Sequence, residues 1–147
     1  VRDLGLPIEV VVCPTVREAD GLAMSSRNAY LSADDRGRAT ALSESLRLAE
    51  QNWSAGADPV VIEKMMRETM EARGIVVDYA ALADPESLEP IATDAPRAVA
   101  LVAGRLGSTR LIDNRELPVR RSPEPHGIPE SPIIPEPRGT PRQGPVR

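Results

Sequence analysis

Phenylalanine is absent from the 147 residues, and the only aromatic side chains are Trp53, Tyr30 and Tyr79. A core must therefore be aliphatic, filled by valine, leucine, isoleucine, alanine and the four methionines. Cysteine occurs once, at Cys13, which excludes an intramolecular disulfide. Lysine also occurs once: of the 18 cationic side chains, all but Lys64 are arginine, a bias of base composition and not of chemistry. A basic field is lacking too. The net charge is −4 and the pI near 5.1, which argues against a general nucleic-acid binder. It leaves room for a nucleotide site, because one placed arginine serves a phosphate. No run approaches the roughly 18 apolar residues of a membrane span, and the start Val1-Arg2-Asp3 has no signal-peptide pattern. The expectation is a cytoplasmic protein without a membrane partner. The absent initiator methionine is read as a start within a longer protein.

What is present divides at Pro118. From there to Arg147 there are nine prolines and three glycines, five arginines and three glutamates, net +2. Proline at that density blocks helices and removes donors, so residues 118–147 are expected to be a disordered, proline-rich tail. It reads as a solvated appendage, the alternatives being that it lies against the body or binds an SH3-like partner. The body before it has a net charge of −6, and 147 residues suffice for one ordinary domain.

Ile8-Glu9-Val10-Val11-Val12 is a β-branched run ended by Cys13-Pro14 and reads as a buried strand. Residues 14–31 form a long loop without period. Ser32, followed by Asp34 and Asp35, is an N-cap with acids in the first turn. The face Ala39, Leu42, Leu46, Ala49 and Trp53 predicts one helix over Ala33–Ala55, ended by Gly56. Asp58-Pro59 opens a second, Pro59–Arg73, with Ile62, Met65, Met66 and Met70 inward and Gly74 as its stop. The period then changes to two, giving strands at Ile75–Leu82, Arg97–Gly104 and Thr109–Asp113, with a tight Gly107-Ser108 connection. The fold class is α+β: two helices packed on a small three-stranded antiparallel sheet.

The loop carries the chemistry. Loops this long inside a compact domain are usually functional or disordered, and this one is not low in complexity. Ser25 and Ser26 offer hydroxyls, Arg27 offers five donors in a planar, permanently charged fork, and Gly21 lets a ligand approach the backbone. From these residues alone, an anion site and a plain surface loop both remain open.

The whole segment Pro14-Thr15, then Arg17-x-x-Asp20-Gly21-Leu22-Ala23-Met24-Ser25-Ser26-Arg27-Asn28, then Tyr30-Leu31, resembles the motif of the pantothenate synthetase (pantoate–β-alanine ligase) family. The resemblance covers about residues 1–117. Leu4-Gly5-Leu6-Pro7 and the following strand are similar to the end of that family's nucleotide-binding domain. Arg110-Leu111-Ile112-Asp113-Asn114 is similar to its C-terminal signature. The resemblance implies a C-terminal portion. Residues 1–14 would be the end of a Rossmann-like nucleotidyltransferase domain, Ile8–Val12 its last strand. Residues 15–117 would be a lid domain carrying the phosphate-binding loop.

It implies an ATP-dependent ligase in pantothenate and coenzyme A biosynthesis. ATP converts pantoate to an acyl-adenylate with release of pyrophosphate, and β-alanine then displaces AMP. Val16 and Met24 would contact the nucleotide through their backbones, Ser25 and Ser26 would donate to phosphate oxygens, and Arg27 would stabilise the departing pyrophosphate, as in the Lys-Met-Ser-Lys-Ser loops of class I tRNA synthetases. Mg²⁺ would accompany ATP, with no ligand identifiable here. The family is homodimeric, but its dimer contacts lie largely outside this chain. So do its His-x-Gly-His-type and Gly-x-Lys-Asp-type segments, which leaves the chain alone inactive by expectation. Arg17, Glu18 and Asp20 read as loop-shaping residues, Asp113 and Asn114 as a strand end and turn, Cys13 as a packed thiol and Tyr30 as a packing residue. His126 receives no role. Two other readings stay open: a catalytically incomplete fragment or non-enzymatic interaction module, and a cytidylyltransferase-like enzyme, against which Arg110–Asn114 counts.

Overall fold

Serine at the start of the helical region caps it as its chemistry dictates. In the computed structural model, which describes residues 4–120, the Ser32 Oγ accepts from the Asp35 N–H at 3.0 Å, and helix α1 runs Ala33–Ala39. The predicted single helix then breaks at Thr40 and resumes as α2, Ala41–Ser54. The Thr40 Oγ1 donates to the Gly37 carbonyl at 2.8 Å, the local side-chain bond by which threonine competes with a helix ladder. The break also brings Ala39, Ala41 and Leu42 all into the core, which one straight helical stripe does not allow. Helix α3, Pro59–Glu71, starts at Asp58, whose side chain accepts from the Val60 N–H at 2.8 Å.

Three strands follow: β1 Val76–Ala83, β2 Val99–Leu106 and β3 Thr109–Glu116, antiparallel in the order β1-β2-β3. The two-residue turn after β2 pairs Leu106 with Thr109. Gly107 has φ +56 at its first position, the glycine requirement of a II′ hairpin. The register of β1 against β2 shifts between Val77 and Tyr79, so Asp78 sits at a bulge.

One face of the sheet packs on α2 and α3. The stripe Leu42, Leu46, Ala49 and Trp53 is fully buried, together with Ile62, Met66 and Met70. Met65, expected inward, is only half-buried, and its sulfur lies 3.5 Å from the Asn52 Nδ2. Gly104 is needed for close approach. A Cβ there would collide with the Ile75 Cγ2 and stand 3.1 Å from the Val76 carbonyl oxygen.

Four expectations are corrected. Ile8–Val12 is not a buried strand: Ile8, Val10, Val11 and Val12 are 58–78 % exposed, in irregular backbone. A strand exists only as part of a ladder, and among the described residues nothing pairs with this one. Cys13 is exposed, for the same lack of a covering layer. Tyr30 is 80 % exposed and packs little. The boundary at Pro118 also moves. The Trp53 indole N–H donates to the Pro118 carbonyl at 2.8 Å, and the Arg120 guanidinium lies 3.5 Å over the Trp53 ring, so the chain stays fastened to the body through Arg120. The expectation of a disordered tail otherwise falls on residues outside those described.

The packing at Gly104 yields a direct check. Gly104→Ala is expected to lower unfolding stability by about 1–3 kcal/mol through overpacking, read as a reduced denaturant midpoint at unchanged slope. A midpoint equal to that of the parent would contradict the close approach of Ile75.

Candidate functional site

The long loop is folded by its own polar side chains. Arg17 and Ala23 form an isolated antiparallel bridge, flanked by Glu18 N–H to Leu22 carbonyl and Met24 N–H to Val16 carbonyl bonds of 2.9 Å. Gly21 closes the turn at φ +90, a conformation glycine enters without steric cost. Leu22, 3 % exposed, anchors the turn in the core. Residues Ser26–Tyr30 then make a short 3₁₀ helix capped by Ser25, structure where the sequence shows no period.

Asn28 and Arg36 brace this loop internally. The Asn28 Nδ2 donates to the Glu18 Oε1 at 2.7 Å and to the Ala23 carbonyl at 3.0 Å. Arg36 from α1 reaches Glu18 and Asp20, each at 2.7 Å. The Asn28 amide, and after it the Arg36 guanidinium, hold the Glu18 carboxyl below its ordinary range. Arg36, helped by the Leu22 N–H, does the same for Asp20, and the two carboxylates push Arg36 up.

Arg17 ties the loop to the sheet. Its Nη1 and Nη2 donate to the two carboxylate oxygens of Asp113 at 2.8 and 3.0 Å. The Nη1 also donates to the Gly21 carbonyl at 2.9 Å. The Asp113 side chain is 1 % exposed and that of Arg17 21 %. Such a forked pair fixes direction as well as distance. The loop-shaping role expected of Arg17, Glu18 and Asp20 is thus observed. Asp113 is more than a strand end.

Between loop and β3 lies a cleft of about 410 Å³. On the loop side it is lined by Thr15, Met24, Ser25, Arg27 and Asn28, and on the β3 side by Arg110, Ile112 and Asn114. The five expected site residues divide. Met24, Ser25 and Arg27 line the cleft; Val16 and Ser26 do not. The N–H of Met24 is already taken by the Val16 carbonyl, which removes it as a donor to a ligand. The Ser25 Oγ accepts from the Arg27 N–H at 3.2 Å, which leaves its own hydrogen free to donate. Arg27 is exposed, and its guanidinium makes no ion pair or hydrogen bond among the described residues. Arg17 and Arg36 on the same face are both paired with carboxylates. Arg110, unnoticed as a cleft residue in the sequence, donates to Asp78 at 2.6 Å. That bond holds Asp78 down and Arg110 up in pKa. Among the described residues no group of three or more His, Cys, Asp or Glu side chains is arranged to hold a metal, and no helix is long and apolar enough to cross a membrane.

A helix-backed antiparallel sheet with a braced, arginine-bearing loop at its edge defines an α+β domain with a cleft beside that loop. The family described as pantoate-beta-alanine ligase matches this chain over residues 1–116, and the chain belongs to that family. It is 54 % identical over 118 residues to a pantothenate synthetase of Rhodopirellula baltica, spanning 80 % of this chain and 41 % of that protein. It is 50 % identical over 119 residues to one of Anaeromyxobacter dehalogenans, spanning 80 % and 41 %. The crystal structure of pantothenate synthetase from Thermus thermophilus superposes with a TM-score of 0.74 at 42 % identity, over 80 % of this chain and 43 % of that one. The chain spans about two-fifths of the length of these relatives.

The loop's ion pairs set a pH dependence. Glu18 and Asp20 have lowered pKa values in the folded chain, so their contribution is complete above the ordinary carboxylate range and is lost as pH falls through the folded values. Acidification from about pH 5 to about pH 3 is expected to lower the amide protection factors, taken against the intrinsic exchange rate at each pH, in residues 18–28 before it does so in α2 or β2. In Arg36→Gln this selective loosening should largely vanish. An identical pH response in parent and variant would remove Arg36 as the brace.

Proposed function

We propose that this domain supplies the phosphate-binding loop of an ATP-dependent pantoate–β-alanine ligase, and that it is the C-terminal portion of that enzyme. The observation that carries the reading is the state of Arg27. It is an exposed guanidinium on a braced loop, bordering a cleft, with no acidic partner among the described residues. An arginine held so is a donor set waiting for an anion. Family membership supports a polyphosphate as that anion, and the printed names of the relatives support pantothenate as the product.

In the proposed reaction the pantoate carboxylate attacks the α-phosphorus of ATP. The bond to the bridging oxygen of the β-phosphate breaks and pyrophosphate leaves with that electron pair. The β-alanine amine then attacks the acyl carbon, loses a proton and expels AMP. Arg27 neutralises charge growing on the departing pyrophosphate, and the Ser25 hydroxyl donates to a phosphate oxygen, with Ser26 and the Val16 and Met24 backbones at the margin of the same site. ATP would bring its own Mg²⁺, for which the described residues offer no cluster of ligands. The domain acts as a lid over a larger nucleotide-binding domain, in a cytoplasmic homodimer whose contacts lie elsewhere.

Two measurements test this. In a full-length ligase containing this domain, Arg27→Ala should slow acyl-adenylate formation by roughly 10²–10³-fold, with KM for ATP rising less than kcat falls. Arg27→Lys should recover part of the loss, because lysine keeps the charge without the fork. A single-turnover rate within about threefold of the parent, well short of the loss of a transition-state donor, would make Arg27 a surface residue. Second, the purified 147-residue chain should form no pantothenate from ATP, pantoate and β-alanine. Turnover above background would overturn the view that base and carboxylate contacts lie outside it.

A further inference from the structure

The two sequence motifs of this chain, around residues 17–28 and 110–114, are joined in space by a forked ion pair. Arg17 spans 96 positions of sequence to grip both oxygens of Asp113. The same Arg17 fork holds the Gly21 carbonyl and reaches the Asn114 carbonyl at 3.4 Å. Asp113 in turn accepts from the Asn114 N–H at 2.8 Å. Arg17 therefore sits where loop, turn and strand edge converge. The bonds of Asn28 and Arg36 shape the loop against itself and against α1. Arg17 to Asp113 is the side-chain bond that orients the loop against β3, and β3 is the opposite wall of the cleft.

We infer that Arg17 and Asp113 are positioning residues: their forked pair sets where Arg27 and Ser25 stand relative to the β3 wall, and so tunes anion binding that neither of them performs. The inference rests on the reading of Arg27 as a polyphosphate ligand. The Nη donors of Arg17 are directed at Asp113, Gly21 and Asn114 and not into the cleft. The path to Arg27 is short. Arg17 bridges Ala23 in backbone, Ala23 holds Asn28 through its carbonyl, and Arg27 lies between Ser25 and Asn28 in the 3₁₀ turn. Asp113→Asn keeps shape and one acceptor but loses the charge and one prong.

The test uses the 147-residue chain and inorganic pyrophosphate as the probe. Asp113→Asn is expected to weaken pyrophosphate binding about tenfold, the loss typical when a supporting contact behind a ligand group is removed. It should also speed amide exchange at residues 23–28 while α2 and β2 exchange as in the parent. On an Arg27→Ala background Asp113→Asn should have a much smaller effect on binding, because most of its influence passes through Arg27 and only the part through Ser25 remains. Where Asp113→Asn does not fold, Arg17→Lys serves instead: it keeps the charge, loses the fork and should show the same pattern more weakly. Equal loss from Asp113→Asn with and without Arg27 overturns the inference, as does unchanged exchange at residues 23–28. If Arg27→Ala weakens binding but Asp113→Asn does not, the inference fails and the Arg27 reading stands. If Arg27→Ala leaves binding intact, the reading itself fails.

Discussion

The bond from Arg17 to Asp113 is the joint on which the site depends. On one side is the loop of residues 14–31, which is mostly exposed; on the other is the edge strand of a small sheet. Exposed loops are the mobile part of a fold, and a ligand group on one is only as well placed as its attachment. A single-pronged contact would leave a hinge. A fork whose carboxylate partner is buried fixes orientation, and the dry surroundings of Asp113 keep solvent from competing. The rest of the loop can then be short-range: a glycine turn, an asparagine spoke and two carboxylates held by Arg36.

The division of labour among the arginines follows from this. Arginine is nearly the only cation available, so it serves as brace, joint and clasp in one small domain, and in the proposed function as the ligand group too. What separates the roles is partnership. Arg17 and Arg36 are satisfied by carboxylates, Arg110 by Asp78 at the bulge of β1. Arg120 is satisfied by the Trp53 ring and by the carbonyls of Trp53 and Ala57. Burial there depresses its pKa. Arg27 is the cleft arginine left without such a partner among the described residues. The core needs no aromatic cluster for this, because one tryptophan at the end of α2 fills the space that α2, α3 and the chain after β3 enclose.

Family membership and the cleft are separate observations. The first rests on identity across residues 1–116, the second on which side chains the tertiary structure leaves unsatisfied. Of the five motif residues, Met24, Ser25 and Arg27 border the cleft.

Periodicity alone determined the helical stripe Leu42, Leu46, Ala49 and Trp53, the second helix with Ile62, Met66 and Met70, the three strands and the Gly107 hairpin. Each is a local pattern whose period matches its own geometry, and each caps or turns on residues adjacent in sequence. The motif likewise marked Arg27 and Ser25. Tertiary structure decided what depends on distant neighbours. Ile8–Val12 has a strand's composition but no ladder among the described residues, so it lies exposed. Thr40 interrupts a stripe that continues unbroken in sequence. Asp113 looks like the end of a strand until Arg17, 96 positions away, closes on it. Trp53 reads as core filler until Pro118 and Arg120 return to cover it. The physical reason is the same in each case: backbone periodicity is set by near neighbours, whereas the partner of a charge, an N–H or a strand edge is chosen by the fold.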